Sequence, residues 1–174
     1  MGHQFRLLLL ILVTAFSAQS RAESVGPISL QAGQKITGLT LPTLDNDFGF
    51  SIDEQLGHPV MLLWAGECSR CSADLASYER LQQRYASAGL ITRVIWTTEE
   101  PLLTEAPQTD LPVLVYSNTI TNAWSVEPQP AVMLINADGQ LEYLFAGKLG
   151  RSAKLTSRAL QHMVAVQDNP GSIN

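Results

Sequence analysis

Cys68 and Cys71 are the only cysteines in this chain of 174 residues, and the sequence around them predicts that they sit where a strand turns into a helix. Pro59-Val60-Met61-Leu62-Leu63-Trp64-Ala65 is a continuous apolar run of strand length, and a polar-apolar pattern of helical period follows the pair. Two cysteines one helical turn apart have Cα atoms near the separation of about 5.5 Å that a disulfide prefers. The first sulfur meets the free N–H groups at the helix start, which together with the positive end of the macrodipole stabilise a thiolate. A redox-active dithiol is therefore the leading reading of Cys68-Ser69-Arg70-Cys71. Two other readings stand beside it: an inert structural disulfide, and a metal-binding module such as a copper chaperone. Zinc needs four ligands, and besides the pair the chain has His3, His58 and His162. Copper suits soft sulfur ligands better.

Residues 1–22 carry the pattern of a secretory signal peptide. Arg6 gives a positive start, Leu7 to Ala18 a short apolar core, and Ser20-Arg21-Ala22 a small-residue cleavage site. The core is shorter than the roughly 20 residues of a spanning helix, so cleavage, which leaves no stable membrane anchor, is expected over the alternative of an uncleaved anchor. A periplasmic location follows, an oxidising space in which a dithiol rests oxidised or is kept reduced by a dedicated donor. The chain has 11 Lys and Arg against 16 Asp and Glu, and loss of Arg6 and Arg21 makes it more acidic. That balance argues against nucleic acid as a partner.

The remainder divides into an extended leader at 23–35, one α/β domain at 36–166 and a polar flexible tail at 167–174. Ile36, Leu39, Leu41 and Leu44 suggest short strands with a turn at Asp45-Asn46-Asp47. Ser51 and Glu54 stand in capping-box positions for a short helix to Leu56. After the dithiol, Leu75, Tyr78, Leu81 and Tyr85 form one buried helical stripe, ended by Gly89. Strands are expected at Leu90–Trp96, Leu111–Tyr116, Ala131–Ile135 and Gln140–Ala146, the last with Leu141, Tyr143 and Phe145 alternating. Short helices are expected at Thr98–Ala106 and Thr119–Trp124. Asn136-Ala137-Asp138-Gly139 is a turn signal. A final helix from Ser152 to about Val166 has Leu155, Leu160, Met163 and Val164 as its expected apolar face. The order predicts a mixed central sheet with helices on both faces and an N-terminal strand extension.

Over residues 36–166 the chain resembles the exported TlpA/ResA-like thiol-disulfide oxidoreductases of the thioredoxin superfamily. The resemblance rests on Leu41-Pro42-Thr43-Leu44-Asp45, Trp64-Ala65 before the dithiol, Cys68 and Cys71, Leu111-Pro112-Val113-Leu114, Val126 four residues before Pro130, and Asp138-Gly139. It implies a thioredoxin-like fold, Cys68 as the attacking thiol, Cys71 as the resolving thiol and a cis peptide bond before Pro130. Gln129 would then offer its backbone to a substrate strand beside Cys68. Asp74 stands where the family carries a Glu, and the resemblance gives it the role of proton acceptor for Cys71, against the plainer reading of an acid stabilising a helix N-terminus. Trp64 is a supporting core residue. The implied activity is exchange with protein disulfide or thiol substrates, recharged by a membrane or periplasmic redox partner, with no cofactor.

The departures bear on direction. Glu67 replaces the family's usual Trp, Ser69-Arg70 lacks its proline, Ala76 replaces a helix-kinking proline, and Leu62 takes the place of the buried acid of thioredoxins. Glu67 opposes a neighbouring thiolate and Arg70 favours it, so oxidant and reductant both stay open.

Overall fold

The computed structural model describes residues 30–44, 49–66, 71–98, 105–117 and 126–167. The predicted signal segment, the turn at 45–47, the helical turn at 119–124, most of the predicted helix at 98–106 and the tail from 168 onward lie outside them.

Among the described residues, seven strands and two α-helices run in the order β1 (Thr40–Leu41), β2 (Phe50–Ser51), β3 (Val60–Trp64), α1 (Ser72–Tyr85), β4 (Ile91–Thr97), β5 (Val113–Tyr116), β6 (Ala131–Ile135), β7 (Leu141–Ala146) and α2 (Leu149–Gln167). β1 and β2 pair as a small antiparallel sheet, and the other five form a sheet of order β5-β4-β3-β6-β7. β4 lies parallel to β3 and to β5, while β6 runs antiparallel to β3 and β7. Every residue of β3 and β6 is buried. That is why both read as unbroken apolar runs, as central strands covered on two faces do.

Along β3 the side chains alternate between two cores. Met61, Leu63 and Ala65 pack with Leu75, Tyr78 and Leu81 of α1 and with Leu160 and Met163 of α2. Val60, Leu62 and Trp64 pack instead with Ile36, Leu39, Leu41, Phe50 and Ile52. Both α-helices thus lie on one face, and among the described residues the other is covered by the N-terminal segment, not by an α-helix as the sequence order suggested. That cover is tied down at both edges of the sheet. The Gly33 N–H donates to the Leu141 carbonyl at 2.7 Å, the Ile36 N–H to Gly139 at 2.8 Å, and the Val115 N–H to Pro42 at 2.9 Å. Among the described residues, backbone pairing is thus already present at Gly33, within the stretch read as leader.

Three local differences have physical reasons. Ser51 caps nothing with its side chain, and Ile52–Gln55 is a 3-10 turn. Its first turn is fixed by Asp53, whose carboxylate accepts the Gly38 N–H at 2.8 Å. The alternation Leu141, Tyr143, Phe145 breaks at a register shift between Leu134 and Ile135. Leu141 consequently joins the N-terminal core, while Tyr143 and Phe145 stack at 5.8 Å on the helical side. α2 begins at Leu149 rather than Ser152, and Leu155, expected in its buried stripe, is 48% exposed. Ser152 and Thr156 take buried positions on α2. Each hydroxyl bonds the carbonyl four residues back, at 3.3 Å to Lys148 and 3.0 Å to Ser152, so burying them leaves no unpaired polar group.

Candidate functional site

β3 delivers the chain to the site, and α1 carries it away. Ala65 and Gly66 follow β3, and the Ala65 N–H donates to the Ile95 carbonyl at 2.9 Å, extending the parallel pairing one step. Glu67, Cys68, Ser69 and Arg70 lie outside the described residues, so the proposed roles of Cys68, Glu67 and Arg70 rest on the sequence. Cys71 is the residue before the first turn of α1, is buried and is disulfide-bonded. Its sulfur lies 4.0 Å from the Ala65 carbonyl oxygen. A bonded sulfur has no proton to donate, so this carbonyl becomes a hydrogen-bond acceptor only for the reduced thiol.

Asp74 is half-buried one turn further along α1. Its carboxylate packs on Gly150, in the first turn of α2, so closely that a Cβ at Gly150 would collide with it. The residue therefore sits at a helix N-terminus, but that of α2 as well as its own, where free N–H groups favour an anion. Below it the Tyr78 hydroxyl donates to the Leu149 carbonyl at 2.7 Å. Burial pushes the Tyr78 phenol well above its usual pKa, the Asp74 charge adds to this, and the neighbouring Thr156 hydroxyl opposes it.

The far wall is made by the segment entering β6. The Gln129–Pro130 peptide is cis, as the resemblance implies, and so is Glu127–Pro128, which the sequence reading did not anticipate. The Pro130 carbonyl is held by the Gly147 N–H at 2.8 Å. Among the described residues nothing bonds to the Gln129 backbone, while its side-chain Oε1 accepts the Thr97 hydroxyl at 2.9 Å. Gly66 has φ +63° and faces Gln129, where an added Cβ would stand 3.2 Å from Oε1. Ala65, Gly66, Thr97, Glu127, Pro128, Gln129 and Pro130 together line an open cleft of about 530 Å³.

Gly66, Thr97, Glu127 and Pro128 were not singled out from the sequence. The signal for Thr97 was topological: β4 is parallel to β3 with Trp64 opposite Ile95, which puts Thr97 just past the C-terminal end of the strand pair, where α/β sheets collect ligands. Trp64 is fully buried, with its indole N–H 3.1 Å from the Met133 sulfur and its ring edge-on to Tyr116 at 5.4 Å. It supports the cleft from within the core and does not line it.

No family model matches the chain, and no curated protein does either. Solved structures do. A Chlorobium tepidum structure assigned as thiol:disulfide interchange protein DsbE is 16% identical, covering 78% of this chain and 99% of its own, with a TM-score of 0.63. DsbF of MTB, in mixed oxidised and reduced forms, is 16% identical over 72% of this chain and 94% of its own, with a TM-score of 0.55. A thioredoxin family thiol:disulfide interchange protein from Chlorobium tepidum TLS is 16% identical over 80% and 99%, with a TM-score of 0.51. With its five-stranded mixed sheet, two α-helices and small N-terminal sheet, this chain has the thioredoxin-like α/β fold, and its structural neighbours include thiol:disulfide interchange proteins.

Proposed function

We propose that this protein is an exported, periplasmic thiol-disulfide oxidoreductase that exchanges disulfides with protein substrates through Cys68 and Cys71. The observation that carries the reading is the placement of the cis Gln129–Pro130 segment across a cleft from Ala65 and Gly66, the residues that lead into the dithiol. An extended substrate would lie along the Gln129 backbone, to which nothing bonds among the described residues, as an added strand does.

In the reducing direction the Cys68 thiolate attacks one sulfur of a substrate disulfide, forming a mixed disulfide and expelling the other substrate sulfur as thiolate. Cys71 loses its proton and attacks the Cys68 sulfur. The Cys68–Cys71 disulfide forms, and the second substrate thiol leaves, so that two electrons have passed to the substrate. The oxidising direction is the reverse, and a membrane or periplasmic redox partner restores the starting state. Asp74 is our candidate to receive the Cys71 proton, supported by its half-buried place one turn along α1. The buried Cys71 suits a resolving role, because a buried sulfur is reached by a neighbouring sulfur more readily than by a substrate.

Turnover of a disulfide-linked peptide tests this. Cys68→Ser should abolish turnover, and Cys71→Ser should accumulate mixed disulfides through Cys68. Trapping through Cys71 reverses the roles. A wild-type protein that turns over no disulfide while its own bond resists reduction is a structural domain, and one that retains copper on both reduced thiols is a metal-binding module.

A further inference from the structure

We infer that Thr97 is a positioning residue for substrate: its hydroxyl fixes the Gln129 carboxamide in the cleft so that the amide can bond the backbone of a polypeptide, selecting peptide disulfides over small non-peptide ones. The inference rests on the oxidoreductase reading above and concerns the same cleft.

Glutamine is a long side chain with several rotatable bonds, and ordering it has an entropic cost. Here it is held on two sides. Thr97 Oγ1 donates to Oε1 at 2.9 Å, and the bare Cα of Gly66 leaves room for that oxygen, which any Cβ at this position would approach to 3.2 Å. Thr97 is itself placed by β4, which pairs with both β3 and β5. With Oε1 engaged, the two Nε2 protons are the donors of the Gln129 side chain, and Gln129 and Thr97 both line the cleft. A threonine hydroxyl can also accept, so the carboxamide can turn over and present its oxygen while keeping the same tether. Either way the cleft wall offers one oriented amide beside the Gln129 backbone, which among the described residues has no hydrogen-bond partner. An extended peptide presents carbonyls and N–H groups at that spacing, whereas a small aromatic or aliphatic disulfide presents none.

The test compares a disulfide-linked peptide with a small aromatic disulfide in wild type, Thr97→Val and Thr97→Ser. Valine keeps the shape of threonine and removes the hydroxyl, while serine keeps the hydroxyl. Thr97→Val should raise KM for the peptide about fivefold, the worth of roughly one hydrogen bond, with kcat unchanged and both constants for the small disulfide unchanged. Thr97→Ser should restore the peptide KM. An unaltered peptide KM in Thr97→Val, a parallel loss on both substrates, or failure of serine to restore it overturns the inference and leaves the oxidoreductase reading standing. Turnover of neither disulfide by wild type overturns that reading and this inference with it.

Discussion

The helical face of the sheet and the face closed by the N-terminal segment are built on the same strand, β3, yet they are closed by different means. α1 and α2 satisfy their own backbones and need to offer only an apolar stripe. The N-terminal cover has only the short β1–β2 ladder, and its other N–H and carbonyl groups are tied at separate points: against the β6–β7 hairpin at Gly33 and Ile36, against β5 at Pro42, and through the Asp53 carboxylate at Gly38. Each face also has to accommodate polar groups, and one on each is instructive. On the helical face it is the Tyr78 phenol. On the other it is Arg93, whose guanidinium lies 5.5 Å over the Phe50 ring, bonds the Thr92 carbonyl at 2.8 Å and is pushed below its usual pKa by burial. An extended cover can thus be as integral to a core as a packed helix.

Paired truncations would break that equivalence most sharply. Leu41 and Leu75 are both fully buried, one on each face, and each replacement by Ala should cost about 2–5 kcal/mol in urea unfolding. A markedly smaller loss for Leu41→Ala would mean that the N-terminal cover is held loosely. A smaller effect sharpens the account of the helical face. Tyr78→Phe leaves the Leu149 carbonyl without its donor and should cost about 1–3 kcal/mol. The folded pKa of Tyr78 lies above its unfolded value near 10, so its contribution is complete below about pH 10 and is lost as pH rises beyond that. Unfolding curves between neutral and strongly alkaline pH should show this loss in wild type and a weaker one in Tyr78→Phe.

The smallest effect concerns the outer edge of α1. The Glu79 carboxylate accepts the Thr109 hydroxyl at 2.6 Å and the Asp110 N–H at 3.0 Å, and these bonds hold its pKa below 4.5. Its contribution is present above pH 4.5 and is lost as pH falls through the lowered value. Because the group is largely in water, Glu79→Gln should cost at most about 1 kcal/mol, read as a shallower acid limb in the same unfolding experiment.

The two faces were not equally legible in the sequence. Leu75, Tyr78 and Leu81 repeat at helical spacing, and β3 and β6 are unbroken apolar runs, so α1 and the centre of the sheet could be read directly. The N-terminal cover has no period, because its residues meet the core wherever separate ties allow. α2 was misread for a related reason: Ser152 and Thr156 are polar as residue types, but their hydroxyls are satisfied within the helix, and they displaced Leu155 from the buried stripe. At the site, Pro130 and its cis bond were accessible through resemblance. Thr97 was not, since its importance comes from lying level with Gly66 across parallel strands, a relation that exists only once β3 and β4 pair.

The link between Pro130 and Gly147 has a mechanical meaning. Gly147 grips the cleft wall through the Pro130 carbonyl, and two residues later Leu149 receives the Tyr78 hydroxyl while Gly150 meets Asp74. One short piece of chain therefore spans from the Gln129–Pro130 wall of the cleft to α1, the helix that follows Cys71. The separation between that wall and α1 is therefore set by the residues from 147 to 150. A single insertion there would shift the cleft wall against α1 while leaving both elements themselves intact.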